Sequence, residues 1–359
     1  MADPTRRPDA PGPAHPPAAA MFDAQWLERR QEDILLPDLP IIDPHHHFWY
    51  GSHQPDYRLE DLLADVGSGH HVLATVFVEC REMYRARGPE ALRSLGQTEF
   101  ANGIAAMSAS GIYGPCRVCA GIIGAVDLRL GEQAGPVLQA HVAAAGGRLK
   151  GIRQIGARDA DSRVRVSGPI PPPALYCEPA FRAGFAQLAP LGLAFDAWLY
   201  HPQLDELHDL AAQFPRTRIV LNHLGGPIGI GPYQGRRDEV AAHWERKIRH
   251  LAQLPNVWVK LGGLGMKLGG FDFSERPEPP SSVELAAAWR PYVETCIDAF
   301  GAQRCMFESN FPVDKRTCSY RVLWNAFKRI AGKRSGAELE GLFAGNAARC
   351  YGLDRPGDG

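Results

Sequence analysis

The stretch IIDPHHHFWY, residues 41–50, puts Asp43 and three histidines within five positions, directly after a short apolar run. Side chains two apart along an extended strand share a face, so His45 and His47 project together while His46 points the other way. Asp43 has the same parity as His45 and His47. Two imidazoles on one face can converge on one divalent ion, with zinc or manganese suited to nitrogen and carboxylate donors. His201 and His223 stand just past two later β-branched runs, LAFDAWLY and RIVLN. A histidine alone is usually a hydrogen-bonded structural residue, but four at successive strand ends point to a shared site. His15, His53, His70, His71, His141, His208, His243 and His250 fall in the tail, in loops or on helical stretches and read as structural.

Inward-facing charges can be picked out by the same alternation. Glu79 ends TVFVEC in the register of Thr75 and Phe77, where it would bind a metal or orient a histidine. Arg153 opposes Ile152 and is the fixed cation best shaped for a substrate carboxylate, because a guanidinium holds both oxygens at once; pairing with a barrel carboxylate is its alternative. Lys260 alternates with Val257, Val259 and Leu261 and points inward beside the run that carries Glu308, so it either meets substrate or forms an ion pair with Glu308. Asn310 shares the face of Glu308 about 6 to 7 Å further along the strand. Asp314 is a further carboxylate within reach, while Arg236 and Arg237 read as solvated loop charges.

Eight β-branched runs can position these groups: 40–49, 73–80, 119–128, 149–156, 193–200, 218–226, 257–266 and 304–314. Between them lie stretches of helical period such as QLDELHDLAAQF and HWERKIRHLAQL. Alternation of this kind predicts an α/β fold, a single-domain (β/α)₈ TIM barrel over residues 40–353, with an N-terminal helix and lead-in at 21–39. An open doubly wound sheet is the alternative, but it would need a glycine-rich phosphate loop where the first run ends in histidines. The polar residues sit at the C-terminal ends of the runs, the rim on which a TIM barrel builds its site. Insertions at 81–112, 227–242 and 267–288 are expected to overhang it.

Composition removes several function classes. Thirty-nine basic against 40 acidic residues, with no basic run, argue against nucleic acid and acidic membrane surfaces as partners. No apolar stretch reaches bilayer-spanning length. Residues 1–20, rich in Pro and Ala, read as a disordered tail without the apolar segment of a secretion signal. Eight scattered cysteines then suit reduced thiols and a cytoplasmic location, and the CxxC at Cys116 and Cys119 has no second pair to complete a zinc site.

The D-x-H-x-H of Asp43, His45 and His47, the later YHPQL and NHLGGP, and a terminal S-x-x-P stretch resemble the amidohydrolase superfamily, in its amidohydrolase-related branch of lactonase-like hydrolases and metal-dependent decarboxylases. The similarity covers roughly residues 38–352 and rests on the order of the motifs. It implies a (β/α)₈ barrel with His45, His47, His201 and His223 around the reaction centre. It also implies hydrolysis of a C–O or C–N bond, or decarboxylation of an aromatic or enoic acid. Some lactonase-like relatives keep the paired histidines without a tightly bound metal, so both a metal-assisted and a metal-free reaction stay open. Many members carry S-D-W-P after a glycine at the end of strand 8, and their aspartate binds metal or acts as base. Here the run is FESNFP, with Asn310 in the aspartate's place and Glu308 two residues earlier. An amide accepts no proton at neutral pH, so Glu308 becomes the expected general base.

The function expected from these readings is hydrolysis of a small carboxylated lactone or cyclic ester. His45, His47, His201 and Glu79 would hold a divalent metal, His223 would stabilise the oxyanion, and Asn310 would act as a polar ligand. Non-oxidative decarboxylation is the alternative reaction, and a non-catalytic binding barrel the alternative of another class. The expected partner is a small-molecule substrate, and assembly into a homo-oligomer is left open.

Overall fold

The structure, a computed structural model, describes residues 21–51, 55–164 and 169–354. The tail assigned as disordered, residues 1–20, lies outside the described residues. Eight strands, β1 (Ile41–His46), β2 (Val72–Val78), β3 (Arg117–Gly124), β4 (Leu149–Arg153), β5 (Ala194–Ala197), β6 (Ile219–Leu221), β7 (Val257–Leu261) and β8 (Cys305–Phe307), pair in parallel and in chain order. A helix follows each, at Leu59–Val66, Leu95–Ala109, Ala134–Ala144, Pro179–Phe185, Leu204–Gln213, Arg237–Leu251, Ser282–Phe300 and Tyr320–Ala331, so the alternation read from sequence is a (β/α)₈ barrel. The helix Ser282–Phe300 illustrates the local causes. Ser281 and Glu284 cap each other's backbone N–H groups, Leu285, Trp289, Tyr292, Val293, Cys296 and Phe300 line one buried stripe, and Gly301 ends it at φ +76°. No helix among the described residues is long and apolar enough to cross a membrane, and all eight cysteines are free thiols.

Closure between the last strand and the first is made by the FESNFP segment. Ser309 N donates to Asp43 Oδ1 (2.9 Å), Asn310 N to the His45 carbonyl (2.9 Å) and His47 N to the Phe311 carbonyl (2.7 Å). Pro44 has no N–H to offer the ladder, and the β1–β2 register slips by one residue between Asp43 and His46. Parity therefore reverses at this bulge. Ile42 faces the barrel interior, whereas Asp43 meets Ser309 and the hydroxyl of Tyr320 (3.1 Å), from the outer helix Tyr320–Ala331. The expectation that Asp43 shares the face of His45 and His47 is corrected accordingly. Strand β2 needs a similar correction. Val76 and Val78 pack in the inner core and Phe77 packs outward, and Glu79 reaches the mouth because β2 has ended before it.

Inside the barrel, Ile42, Ala74, Val76, Val78, Ile123, Ala194, Val220 and Met306 pack against the C-terminal residues Ala344, Ala347, Ala348, Tyr351 and Leu353, which plug the lower end. One charge pair sits above this apolar plug. Lys260 Nζ is 2.6 Å from Asp196 Oδ2, both side chains are wholly buried, and the Tyr351 hydroxyl donates to Asp196 Oδ1 (2.9 Å). The expected Lys260–Glu308 pair, and contact of Lys260 with substrate, are thereby replaced. Lys260 is in register with Met306, one inward layer below Glu308, and its partner comes from β5. Asp196 was legible in AFDAW, where it alternates with Phe195 and Ala197.

The overhanging segments are shorter than expected. Residues 95–109 of the first insertion, 237–242 of the second and 282–288 of the third belong to barrel helices. A further overhang, unforeseen, follows β4 and contributes Arg163 to the mouth. Truncating one partner of a buried ion pair typically costs 3–5 kcal/mol because the other charge is stranded. Lys260→Met is expected to lose roughly that much in chemical denaturation, and Lys260→Met with Asp196→Asn to recover part of it. Equal losses in the two proteins would show that the pair is not energetically coupled.

Candidate active site

Glu308 follows the inward Met306 by two residues and is completely enclosed. Its Oε1 accepts from both His223 Nδ1 (2.7 Å) and His223 N (3.1 Å). Its Oε2 lies 2.8 Å from His45 Nδ1 but has no hydrogen aimed at it. One carboxylate thus stands between imidazoles from β1 and from the turn after β6.

That turn is strained. His223 (φ +54°) and Leu224 (φ +53°) both adopt the left-handed conformation, at a cost of order 1–3 kcal/mol per residue. The double acceptance by Glu308 and the edge-on ring of Trp198, 4.7 Å away, hold His223 in place. Two glycines after β7 make room. A Cβ on Gly263 would lie 2.5 Å from His223 Cγ, and one on Gly262 would lie 2.4 Å from the Glu308 carbonyl oxygen. The LGG of VWVKLGG is therefore required by the site.

His45 and His47 meet through Nε2 atoms 3.2 Å apart. His47 Nδ1 donates to the Val78 carbonyl (2.8 Å), which turns its Nε2 lone pair towards His45. Arg153 Nη1 approaches His45 Nε2 to 3.3 Å, while Arg153 Nε donates to Glu79 Oε1 (2.8 Å). The Arg153–Glu79 pairing takes the alternative reading of Arg153, engagement by a barrel carboxylate. Lys260 Nζ stands 3.4 Å from His45 Nδ1. Burial first, and then the charge of Lys260, drives the His45 pKa well below that of an ordinary histidine; burial, and then Arg153, does the same to His47. Both rings are held neutral, the state that metal ligation or proton acceptance needs.

Of the residues singled out from sequence, His45, His47, His223, Glu308, Arg153 and Glu79 gather at the mouth. Asn310 lines it too, at φ +55°, with Nδ2 donating to Asp314 Oδ1 (2.8 Å). Gly265 N donates to the other oxygen of Asp314, whose pKa burial raises to about 7. His201 is not part of this group. β5 ends three residues earlier than expected, Trp198 takes the place beside His223, and His201 starts the next turn, away from the cavity wall. There its Nδ1 accepts from Ile228 N (3.3 Å), and its ring packs against Tyr233 and His243.

Ligand atoms of His45, His223 and Glu308 lie within 4.8 Å of one another. Two imidazole nitrogens and a carboxylate oxygen form a donor set that suits a divalent ion, and the unsatisfied Glu308 Oε2 is an atom such an ion would engage. Above the cluster a cavity of about 1220 Å³ is walled by His47, Glu79, Arg153, Trp198, His223 and Asn310, and higher up by the overhanging loops. Glu308 and His45 are beneath its floor and not on its wall.

Comparison with known proteins agrees with this architecture. The amidohydrolase family model matches residues 42–353. An L-fucono-1,5-lactonase of Burkholderia multivorans is 30% identical over 333 residues, covering 88% of this chain and 97% of its own. The uncharacterized protein y4mH of Sinorhizobium fredii is 32% identical over 338 residues, covering 88% and 99%. A crystal structure of an amidohydrolase from Burkholderia multivorans with bound zinc superposes with a TM-score of 0.65 at 27% identity, covering 88% and 99%. The chain belongs to the amidohydrolase family, as a hydrolase of its lactonase-like branch.

Proposed function

We propose that the protein opens a carboxylated lactone by attack of water on the ring carbonyl, with the Glu308–His223 pair as the proton-transfer unit. The observation that carries this reading is the contact of Glu308 Oε1 with His223 Nδ1 at 2.7 Å, on a histidine that itself lines the cavity. Glu308 keeps the proton on Nδ1, so that the Nε2 lone pair is turned to the substrate side. His223 then takes a proton from the attacking water and returns it to the ring oxygen as the acyl C–O bond breaks, and the product is a hydroxy acid. Glu308, enclosed beneath the floor, offsets the positive charge that His223 gains, a role one step removed from that of a base acting directly on water. The Arg153 guanidinium, fixed by Glu79, supplies a donor to the carbonyl oxygen as negative charge develops on it. The relatives named as lactonases support the choice of ester over amide.

A substrate carboxylate finds support in two cations other than Arg153. Arg81 and Arg316 line the cavity with no side-chain partner among the described residues, and Arg316 Nε is buried without an acceptor. A divalent ion, zinc or manganese by its donor set, would be held by His45, His223 and Glu308 and would supply Lewis acidity at the carbonyl, with His223 then a ligand in place of its proton-transfer role.

Acid release from carboxylated and neutral lactones tests the reaction, with carboxylated ones expected to show the higher kcat/KM. His223→Ala is expected to lower kcat by roughly 10²–10⁴, and Glu308→Gln to lower kcat with little change in KM. Normal kcat in folded Glu308→Gln would remove the pair from the mechanism. Carbon dioxide release without ring opening would favour decarboxylation instead.

Protein purified without chelators is expected to carry up to about one equivalent of divalent metal, the capacity of a single three-ligand site, and to lose most of it in Glu308→Gln. Unchanged metal content in that variant would locate the ion elsewhere.

A further inference from the structure

A second cavity, of about 590 Å³, opens at the N-terminal end of the strands, the face opposite the mouth. Arg117 begins β3, Arg148 precedes β4, and Lys150 is its second residue, and all three line this cavity. None makes an ion pair with a carboxylate among the described residues. Arg117 Nη2 donates to the Asp354 carbonyl, Arg148 Nη1 to Asn102 Oδ1 (2.8 Å) and Lys150 Nζ to the Gly352 carbonyl (3.2 Å), so each is steadied by a neutral acceptor. Arg117 Nε is buried with no acceptor at all.

Grouped like charges repel unless an anion joins them. Among the described residues of the lining Asp354 is the one carboxylate, against three cations, which leaves two positive charges, the complement of a dianion. Ala105, Pro115, Val118, Ala120 and Leu353 give the rest of the wall an apolar character. A Cβ added at Gly111, Gly114 or Gly147 would meet nothing within 4 Å, so the glycine turns at the rim leave open space. The volume falls in the range of small-molecule sites and exceeds what a bare ion fills.

We propose that this face binds a small phosphate monoester, its phosphate held by Arg117, Arg148 and Lys150 and its organic part against the apolar wall. A guanidinium grips phosphate with two parallel hydrogen bonds, and Arg117 and Arg148 both stand in the wall of this cavity. The site is separate from the lactone cavity and does not depend on the reaction proposed there. Leu353 and Gly352 in its wall directly follow Tyr351, whose hydroxyl meets Asp196 in the barrel floor, so a ligand here would touch the plug of the barrel.

Isothermal titration with phenyl phosphate tests the site. The expected result is one molecule bound per chain, at least about tenfold weaker binding in Arg148→Gln/Lys150→Gln, where two of the charge-assisted contacts are gone, and normal kcat in that variant. Asp354→Asn, which removes the one opposing charge, is expected to bind severalfold tighter, so a fold-preserving change of opposite sign accompanies the loss. Binding should persist in His223→Ala. Equal affinity in the parent and the double variant, or loss in His223→Ala, would overturn the proposal by moving the anion to another site. Equal affinity for inorganic phosphate or for benzoate would overturn it as well, because the first needs no organic pocket and the second no dianion.

Discussion

A carboxylate with no access to water, Glu308, is the group around which the mouth of this barrel is arranged. An enclosed charge is tolerated where hydrogen bonds and partners replace its hydration. Two N–H donors of His223 and the neighbouring His45 do this, His45 from β1, which closes against β8, and His223 from the turn after β6, two strands away on the other side. The requirement propagates outward. It holds His223 in a left-handed turn, and it needs glycine at 262 and 263, because any side chain there would occupy the space of His223 and of the Glu308 backbone. It also needs the segment after β8 to turn back onto β1, which the Ser309, Asn310 and Phe311 backbone contacts achieve.

Below this layer lies a second charge arrangement with another purpose. Lys260, Asp196 and Tyr351 form a buried unit whose charges balance, set on the apolar plug of the C-terminal residues. Its cation sits 3.4 Å from His45, and on the other side of that ring Arg153 approaches within 3.3 Å. A histidine between two fixed cations resists protonation, so the ring stays a donor of lone pairs. The sum is a site in which the neutral rings of His45 and His47, the His223–Glu308 pair and the Arg153–Glu79 pair occupy the C-terminal ends of the strands, beneath a cavity that opens above them. This division suits ester hydrolysis, in which one group moves a proton while another meets the developing oxyanion.

The period of two carried much of the sequence reading, and it held wherever a strand was regular. Lys260 and Arg153 are assigned to the interior by their alternation with Val259 and Ile152, and each side chain is buried there. The same rule failed where the ladder was broken. At Pro44 a missing N–H inserts a bulge and reverses parity, so that Asp43 closes the barrel from outside, and in β2 the alternation was assigned in the opposite sense. His201 enters the sequence reading through a strand end placed at residue 200, whereas β5 ends at Ala197 and the chain has already turned away.

Local composition and period specify the alternation of eight apolar β-branched runs with amphipathic segments, hence the barrel. They also specify which residue types stand at the rim, because burial and strand period leave a local imprint on composition. The choice of partner for each buried charge belongs to the folded barrel. Lys260 takes Asp196, 64 positions away, in preference to Glu308, and Arg153 takes Glu79 across 74 positions. Glu308 goes to His223, 85 positions earlier in the chain. Such choices depend on the register and tilt of neighbouring strands, which set the depth of each side chain in the barrel, and on the left-handed turn that swings His223 over the carboxylate. Depth and turn geometry are properties of the closed barrel as a whole, and no local stretch of sequence contains them.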